Sequence, residues 1–514
     1  MPNILSALIW LPVIGALAIA LLPQNQSKKG AVIFASAILI LDVILLKQFD
    51  TNIAAFQLSE NVPWLENLGL NYSLGVDGLS LPLVVLNGLL TWLIICFCER
   101  QIKYRSKFFQ VLMLLIHAGV SGAMLSTNTL LFVLFYEIEL IPLYLVIAAW
   151  GGLQRSYAAT KFLIFTAVSG VLILIGFLGL GWLTANPTPI FDYATLQTLS
   201  LPLEVQIILL LVLLLGFGIK APFVPFHTWL PDTYVESTTP TVMMLGGIVS
   251  KLGTYGLFRF CVGLFPDAWT LLSPYIALWA GLSILYAAIV AIAQRDIKRM
   301  VAYSSISQMS YILLAAAAAT PLSLSGGIAQ MISHGLILSL LFYLVGVIEE
   351  KAGTRDLDIL NGLLNPLRGL PTTSALLILG GMASAGIPGL VGFISEFLVF
   401  QGSFAKFPIP TIFSIVGTGL TAVYFVILLN RTCFGKLDNT TAYYPKVSGL
   451  EHLPALVLAG IIVFLGVQPV WLTRWSEKAT VQISDRQPIK VIANESRKSS
   501  SYEKISLEFT RDTK

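Results

Sequence analysis

The sequence predicts an all-α, polytopic membrane protein of about fourteen transmembrane helices, with two inverted five-helix repeats and two broken helices. Of its 514 residues, 56% are hydrophobic and only 11% are charged, whereas soluble domains carry about 25% charged residues. Apolar runs of roughly 17–28 residues alternate with polar breaks, and each run is long enough to cross a bilayer. Two of these runs contain prolines at matching places.

The apolar runs place the predicted spans in chain order. They cover residues 3–22, 30–48, 79–98, 108–126, 128–149, 160–184, 203–226, 240–263, 273–293, 300–319, 325–349, 371–402, 408–434 and 451–472. The first run lacks a basic N-terminal region, so it is predicted to be a transmembrane helix and not a signal peptide.

The distribution of Lys and Arg predicts the orientation. Most of them fall in odd-numbered loops, while the even loops and adjoining helix ends hold only Lys47, Arg259 and Lys406. Because cytoplasmic loops are enriched in positive charge, the odd loops are assigned to the cytoplasm or stroma and both termini to the other side. The basic tail after Trp471 is the exception. It is predicted to be peripheral or partly disordered.

The two proline breaks indicate an internal repeat. Pro222 and Pro388 are about 166 residues apart (388 − 222), and spans four and nine begin about 165 residues apart (273 − 108), as expected for two copies of one unit. An odd number of helices per copy makes the copies inverted. The predicted division is 1–107 (three helices), 108–263 (first repeat), 264–434 (second repeat), 435–472 (last helix) and 473–514 (polar peripheral tail).

Four ionisable residues lie inside apolar runs: Glu137, Lys220, Lys251 and Glu396. Each charge near the bilayer centre costs about 2.5–3.5 kcal/mol unless it faces a partner or water. Alternating acids and amines in a helical bundle therefore predict proton transfer. The alternative for Lys220 is a lysine that reaches a helix end, and for Lys251 an ion pair that only locks helices together.

The sequence leaves two carboxylates as candidate partners of Lys220. Glu139 follows Glu137 by two positions and points roughly 200° away around a helix, so the two cannot share a face. Composition does not decide between them, and the pair of Glu137 with Lys220 is preferred.

Two histidines complete the candidate set. His334 lies inside a span and could bridge Lys251 to Glu396, because imidazole titrates near neutrality; the alternative is a packing residue. His227 falls at a helix end, where it is assigned either to proton uptake from the cytoplasmic side or to capping the segment.

Other site classes are not indicated. Cys96 and Cys98 form C-x-C, and Cys261 and Cys433 stand alone, so zinc, iron–sulfur and disulfide sites are not expected. No Walker motif, haem ligand pair or nucleophile triad occurs, and the membrane region offers no nucleic-acid surface. The chain is expected to bind no cofactor or metal itself.

With these residues in place, the sequence resembles the antiporter-like membrane subunits of complex I, and chain 4 most closely. The matching stretches are Glu137-Ile-Glu-Leu-Ile-Pro-Leu-Tyr144, Trp150-Gly-Gly152, Tyr157-Ala-Ala-Thr-Lys-Phe162, Lys220-Ala-Pro-Phe-Val-Pro-Phe-His-Thr-Trp-Leu-Pro-Asp232, Lys251-Leu-Gly-Thr-Tyr-Gly-Leu257, Ala302-Tyr-Ser-Ser-Ile-Ser307, Gln330-Met-Ile-Ser-His-Gly335, Gly386-Ile-Pro-Gly389 and Glu396-Phe397. The resemblance spans about residues 70 to 435.

The resemblance implies fourteen helices, inverted repeats and defined residue roles. The family's fifth-helix glutamate, five positions before the proline, corresponds to Glu137. Its seventh-helix and eighth-helix lysines correspond to Lys220 and Lys251, and the twelfth-helix acid of chain 4 to Glu396. In the family, quinone reduction elsewhere changes the Glu–Lys pairing and drives a proton across the membrane.

The Trp-Gly-Gly and Ala-Thr-Lys-Phe stretches look most similar to the cyanobacterial and chloroplast NAD(P)H-quinone oxidoreductase. That type implies a thylakoid membrane and NAD(P)H or ferredoxin, iron–sulfur clusters and plastoquinone in other subunits. This sequence differs from the usual chain 4 sequence at two places. Residues 233–240 replace a stretch similar to His-Gly-Glu-Ala, and Gln308 stands where relatives often have a histidine. These differences suggest the paralogue specialised for CO2 uptake, with a carbonic-anhydrase-like partner subunit.

The sequence is compatible with three functions. The first is a proton-translocating subunit of such a complex, surrounded by other membrane-arm subunits and lipids. The second is a subunit of a multisubunit cation/proton antiporter, whose core subunits share the fold and the Glu–Lys signature. The third is a purely structural subunit.

Overall fold

The computed structural model describes residues 3–97, 101–102, 104–185, 188–436 and 444–488 as a bundle of helices with one β-hairpin. In the first half the helices are α1 (Ile4–Leu21), α2 (Gln24–Gln48), α3 (Leu81–Phe97), α4 (Ser106–Leu125), α5 (Thr129–Ile138), α6 (Leu140–Trp150), α7 (Arg155–Leu183), α8 (Tyr193–Leu196), α9 (Leu203–Lys220), α10 (Trp229–Glu236), α11 (Thr239–Met244) and α12 (Lys251–Gly256).

In the second half they are α13 (Pro266–Ile292), α14 (Ile297–Ala318), α15 (Pro321–Ala352), α16 (Pro371–Ser384), α17 (Val391–Phe404), α18 (Pro408–Thr432), α19 (Gly449–Val467), α20 (Val470–Thr473) and α21 (Glu477–Asp485).

Most of these helices can cross a membrane. Within the described ranges, twelve helical stretches are long and apolar enough to do so, with α5–α6 and residues 239–262 each counting as one. Helices α3 and α17 are apolar but shorter. The all-α polytopic fold is confirmed, while the number fourteen stays a prediction.

Both predicted helix breaks are present. Helix α9 ends at Lys220 and the chain turns before α10 begins at Trp229. Helix α16 ends at Ser384 and α17 begins at Val391. The second break needs Gly386 and Gly389, whose φ angles of 71° and 90° are accessible to glycine without steric cost. The inverted relation of the repeats and the domain boundaries stay predictions.

The stretch that holds Lys251 is irregular. Two π-helical turns, Leu245–Val249 and Leu257–Val262, flank α12, and every residue of 239–262 is buried. A π-helical turn changes the backbone hydrogen-bond register and is frequent at functional sites. In this stretch the Lys251 ammonium and the Ser250 hydroxyl both donate to the Gly246 carbonyl.

A β-hairpin that was not among the predicted elements connects α2 to α3. Strands β1 (Gln57–Leu65) and β2 (Leu70–Val76) pair antiparallel. Glu60 on β1 accepts a hydrogen bond from the Leu5 amide at 2.9 Å, so its carboxylate satisfies a free donor at the start of α1. The sequence of β1 hides the strand, because it is largely exposed and contains Pro63.

The beginning of the predicted tail is ordered and packs on the bundle. Helix α21 lies against α15, and Ser484 donates to the Ala319 carbonyl at 2.9 Å. Gln487 donates to the Val262 carbonyl at 3.1 Å. The first part of the predicted peripheral tail is therefore ordered, and residues 489–514 lie outside the described residues.

Candidate proton pathway

Lys220 forms a buried ion pair with Glu139. It is the last residue of α9, and its Nζ lies 2.6 Å from Glu139 Oε1, with the two side chains 1% and 0% exposed. The ammonium also lies 4.6 Å from the centre of the Tyr136 ring, a distance at which the ring face attracts a cation. The preferred pair of Lys220 with Glu137 is therefore wrong, and Glu139 takes its place.

Two glycines explain which carboxylate turns inward. Glu139 stands at the junction of α5 and α6 and packs against Gly119 of α4, where an added Cβ would lie 3.1 Å from Glu139 Cβ. Glu137 points at Gly170 of α7, where an added Cβ would collide with its Oε1. Glu137 Oε1 has no hydrogen-bond partner among the described residues. The two carboxylates thus diverge, and Glu137 faces α7.

Lys251 is fully buried and donates to the Gly246 carbonyl. In the described part of the chain it forms no ion pair. Its helix packs directly on the break after Lys220, since a Cβ at Gly253 would lie 2.6 Å from the Ala221 amide nitrogen. The glycine therefore brings the elements that carry Lys220 and Lys251 into backbone contact.

Glu396 lies at the second break and is held by neutral donors. Gln308 Nε2 donates to its Oε1 at 3.0 Å, and Thr418 Oγ1 donates to its Oε2 at 2.9 Å. Glu396 forms no ion pair with a described residue, and it is 3% exposed. The amide and hydroxyl hydrogen bonds offset part of the cost of burying this carboxyl group.

A chain of hydrogen bonds extends from Glu396 into α15. Gln330 donates to the Gln308 side chain. Ser395 donates to Gln330, and Ser333 lies 2.8 Å from Ser395. The departure at Gln308 is therefore part of the site, because its amide joins Glu396 to the polar side chains of α15.

His334 lies beside this network. It borders a cavity of about 10 Å³ that Gln308, Gln330 and Glu396 also line, a space on the scale of one water molecule. Both ring nitrogens lack a hydrogen-bond partner among the described residues, and the ring is close enough to Lys251 for their charges to interact. The structure thus brings His334 and Glu396 to one cavity.

His227 lies within the first break, just before α10, and is 4% exposed. Its ring centre lies 5.3 Å from that of Tyr286 and 6.2 Å from that of Tyr303, so aromatic rings shield it from water. Whether it takes part in proton uptake stays a prediction.

A polar cavity of about 440 Å³ opens on the predicted cytoplasmic side. Its walls carry charges of both signs, including Glu236, Lys298, Glu349 and Arg355. Lys298 is buried and donates to the Ser237 carbonyl at 2.6 Å. The unusual stretch 233–240 therefore forms one wall of this cavity.

Sequence reasoning missed a second buried ion pair, which lies on the side opposite to the predicted cytoplasmic side. Arg259 Nη2 lies 2.6 Å from Asp77 Oδ1, although the sequence offered Arg259 only as a helix-end charge. Burial raises the pKa of Asp77, but the Arg259 charge and hydrogen bond, with the Ser80 and Leu79 amides, outweigh burial and leave the pKa lowered. The Tyr193 and Tyr255 rings flank the guanidinium.

Asp42 was also missed. It is fully buried on α2 against Gly88 of α3, and neither carboxylate oxygen has a hydrogen-bond partner among the described residues. The signal was available, because Asp42 interrupts the apolar run Ile38–Leu46 as Glu137 interrupts its own. We assign it no role.

Metal ligation is not indicated by the geometry either. Within the described ranges, no group of three His, Cys, Asp or Glu side chains could hold a metal ion. Cys96, Cys261 and Cys433 are free thiols, and Cys98 lies outside the described residues.

Comparison with known proteins identifies the family. The family described as NADH:quinone oxidoreductase/Mrp antiporter, TM matches residues 126–421. NAD(P)H-quinone oxidoreductase chain 4 1 of Synechococcus sp. (strain JA-3-3Ab) is 37% identical over 93% of this chain and 92% of its own length. The chain 4 3 protein of Trichormus variabilis is 36% identical over 98% of this chain and 95% of its own.

Solved structures agree. A chain of respiratory complex I from Thermus thermophilus superimposes with a TM-score of 0.86 at 26% identity, covering 94% of this chain and 100% of that one. A chain of the Mrp complex from Dietzia sp. DQ12-45-1b has a TM-score of 0.83 at 20% identity, covering 94% and 98%, and shares the fold. The resemblance to chain 4 is confirmed, and the chain belongs to the NADH:quinone oxidoreductase/Mrp antiporter family of membrane subunits.

Proposed function

We propose that this chain is a proton-translocating membrane subunit of a complex I-like quinone oxidoreductase. One observation carries the proposal: a fully buried Lys220–Glu139 ion pair at a helix break, in a chain of this family. Ionisable side chains inside a membrane bundle are costly and mark ion or proton paths. The broken helix adds free backbone carbonyls, which a hydrated gap can satisfy and lipid cannot.

The proposed path follows the buried groups across the bundle. In this path the half-buried Glu137 and the buried Glu139 stand at one end with Lys220, Lys251 takes the middle, and His334 and Glu396 take the other end. Opening the Lys220–Glu139 pair leaves the ammonium without its counter-charge, so it gives up a proton more readily. The proton then moves to Lys251, through His334, and to Glu396.

Proton uptake is assigned to the polar cavity beside Lys298 and Glu349. Its walls carry charges of both signs, and it opens on the side that the positive-inside rule makes cytoplasmic. His227 is the proposed link from that side to the first break.

We further propose the photosynthetic type of complex. The chain 4 relatives named above are cyanobacterial, which supports a thylakoid location. NAD(P)H or ferredoxin, iron–sulfur clusters and plastoquinone would then be bound by other subunits. The departures at 233–240 and Gln308 support the form linked to CO2 uptake, with a carbonic-anhydrase-like partner subunit.

Purification of the tagged chain in mild detergent tests this assignment. We expect iron–sulfur subunits and quinone reductase activity to co-purify, and quinone reduction to acidify one side of reconstituted vesicles. A carbonic-anhydrase-like protein in the same preparation would support the CO2-uptake form, and its absence from an otherwise complete assembly would contradict that form. Isolation without any redox subunit would contradict the main proposal.

The alternative function is a subunit of a multisubunit cation/proton antiporter, which the shared fold with the Mrp complex favours. Vesicles that hold the purified assembly decide between the two. Sodium-driven proton movement in the absence of an electron donor is expected only for the antiporter.

A further inference from the structure

Apart from the buried polar path, the bundle contains a large apolar cavity. It has a volume of about 580 Å³, within the range of small-molecule binding sites. Its walls come from α2, α3, α15 and α19 and include Val85, Leu89, Leu336, Ile461 and Leu465. Because α2, α15 and α19 are long and apolar enough to cross a membrane and α3 is apolar, the cavity lies at the level of lipid tails.

Two cations line the same cavity: Lys47 at the end of α2 and Arg474 after α20. Neither forms an ion pair with any described residue. Arg474 Nε is buried and has no hydrogen-bond partner among them. An unsatisfied guanidinium donor is costly unless an acceptor from outside the chain reaches it.

Two indole rings hold Arg474 in place. Its Cζ lies 3.6 Å from the Trp471 ring centre and 4.2 Å from that of Trp475. Trp475 is fixed in turn, because Gly78 lets its carbonyl approach to 2.2 Å from where a Cβ would stand. Tryptophan side chains mark the membrane–water interface, so the guanidinium stands at headgroup depth above an apolar cavity.

We propose that this cavity binds one anionic glycerophospholipid, with an acyl chain among the apolar walls and the phosphate on Arg474 and Lys47. Charge decides in favour of an anionic headgroup, since the two charged side chains that line the cavity are both cations. A zwitterionic headgroup would add its own positive charge beside these two cations. An apolar helix of a neighbouring subunit would leave both of these cations without an anion.

The test uses the intact assembly in mild detergent with photoactivatable phosphatidylglycerol and phosphatidylcholine of the same acyl chains. Cross-linked peptides of this chain are mapped by mass spectrometry. We expect phosphatidylglycerol to label residues around the cavity, and unlabelled phosphatidylglycerol to compete at least tenfold better than phosphatidylcholine. This competition needs no variant, so a folding defect cannot confuse it.

Variants then locate the headgroup and the tail. R474Q with K47Q is expected to reduce phosphatidylglycerol labelling several-fold, and V85W to reduce it by filling the cavity. K478Q is the matched control, because Lys478 is exposed on α21 and does not line the cavity. Equal competition by the two lipids, unchanged labelling in the double variant, or a cross-link from the cavity to a neighbouring subunit's helix would overturn the proposal.

Discussion

At the first helix break Lys220 is neutralised by Glu139 at 2.6 Å, whereas at the second break Glu396 receives hydrogen bonds from Gln308 and Thr418 and from no described cation. Both sites are buried beside a helix break, yet they stabilise charge in different ways. The two charges of a buried ion pair stabilise each other only while the side chains stay together. A lone carboxyl group among neutral donors can gain or lose a proton without displacing a partner. We therefore propose that the ion pair opens at the first break and that the proton is released at the second.

The largest effect is expected from K220M. Removing the ammonium leaves Glu139 buried and unpaired, which costs about 3–5 kcal/mol of stability, and it removes the switch at the first break. The number of protons pumped per quinone reduced, measured in sealed vesicles, should fall by the number that this subunit contributes. R431M is the control, because the Arg431–Asp358 pair is half exposed and such pairs contribute about 0–1 kcal/mol. Normal pumping by an intact K220M assembly would remove the first break from the path.

The second prediction separates the two carboxylates of α5. In double-mutant cycles with K220M, E139Q should show a coupling free energy of about 0.5–3 kcal/mol, and E137Q a smaller coupling. The reason is geometric, since Glu139 contacts the ammonium and Glu137 faces Gly170. Thermal unfolding of the solubilised assembly measures both cycles. A larger coupling for Glu137 would restore the pair that the sequence favoured.

E396Q sharpens the contrast at the second break. The amide keeps the shape of the side chain and one acceptor for Gln308 or Thr418, and no buried cation loses a partner. We therefore expect stability to change little, while proton pumping falls strongly because the group no longer titrates. E477Q, at an exposed position of α21, serves as the control for pumping. A large loss of stability in E396Q would reveal a partner cation and erase the difference between the breaks.

The smallest effect is expected from Q308L. It removes one hydrogen bond to Glu396 and the acceptor of Gln330, and a hydrogen bond to a charged group contributes about 1.5–3 kcal/mol. Pumping should fall a few-fold, and Q308H, which retains a donor, should fall less. Rates of dye-detected acidification rank the two variants. Equal rates in Q308L and the unmodified chain would show that Gln308 does not contribute to proton transfer at Glu396.

The sequence located most of the buried groups because their signal is local. Lys220, Lys251 and Glu396 interrupt apolar runs, and an isolated charge in such a run must be buried or paired. The two proline breaks were also found, since proline and glycine disrupt a helix through their own geometry. For the same reason Asp42 could have been found.

The pairing of side chains could not be read from the sequence. It depends on Gly119 and Gly170, which lie on other helices and make room for Glu139 and Glu137. The Asp77–Arg259 pair joins residues 182 positions apart, and no local pattern links them. The hairpin was missed because β1 is exposed and lacks the alternation that predicts a strand.

The most direct test of a single path through both breaks is K251M, because Lys251 is the group between them. Quinone reduction by the uncoupled assembly and protons moved per quinone in sealed vesicles are measured on the same preparation. A continuous path predicts that reduction persists while this subunit's share of the protons disappears. An unchanged proton count, with every subunit present, would contradict it.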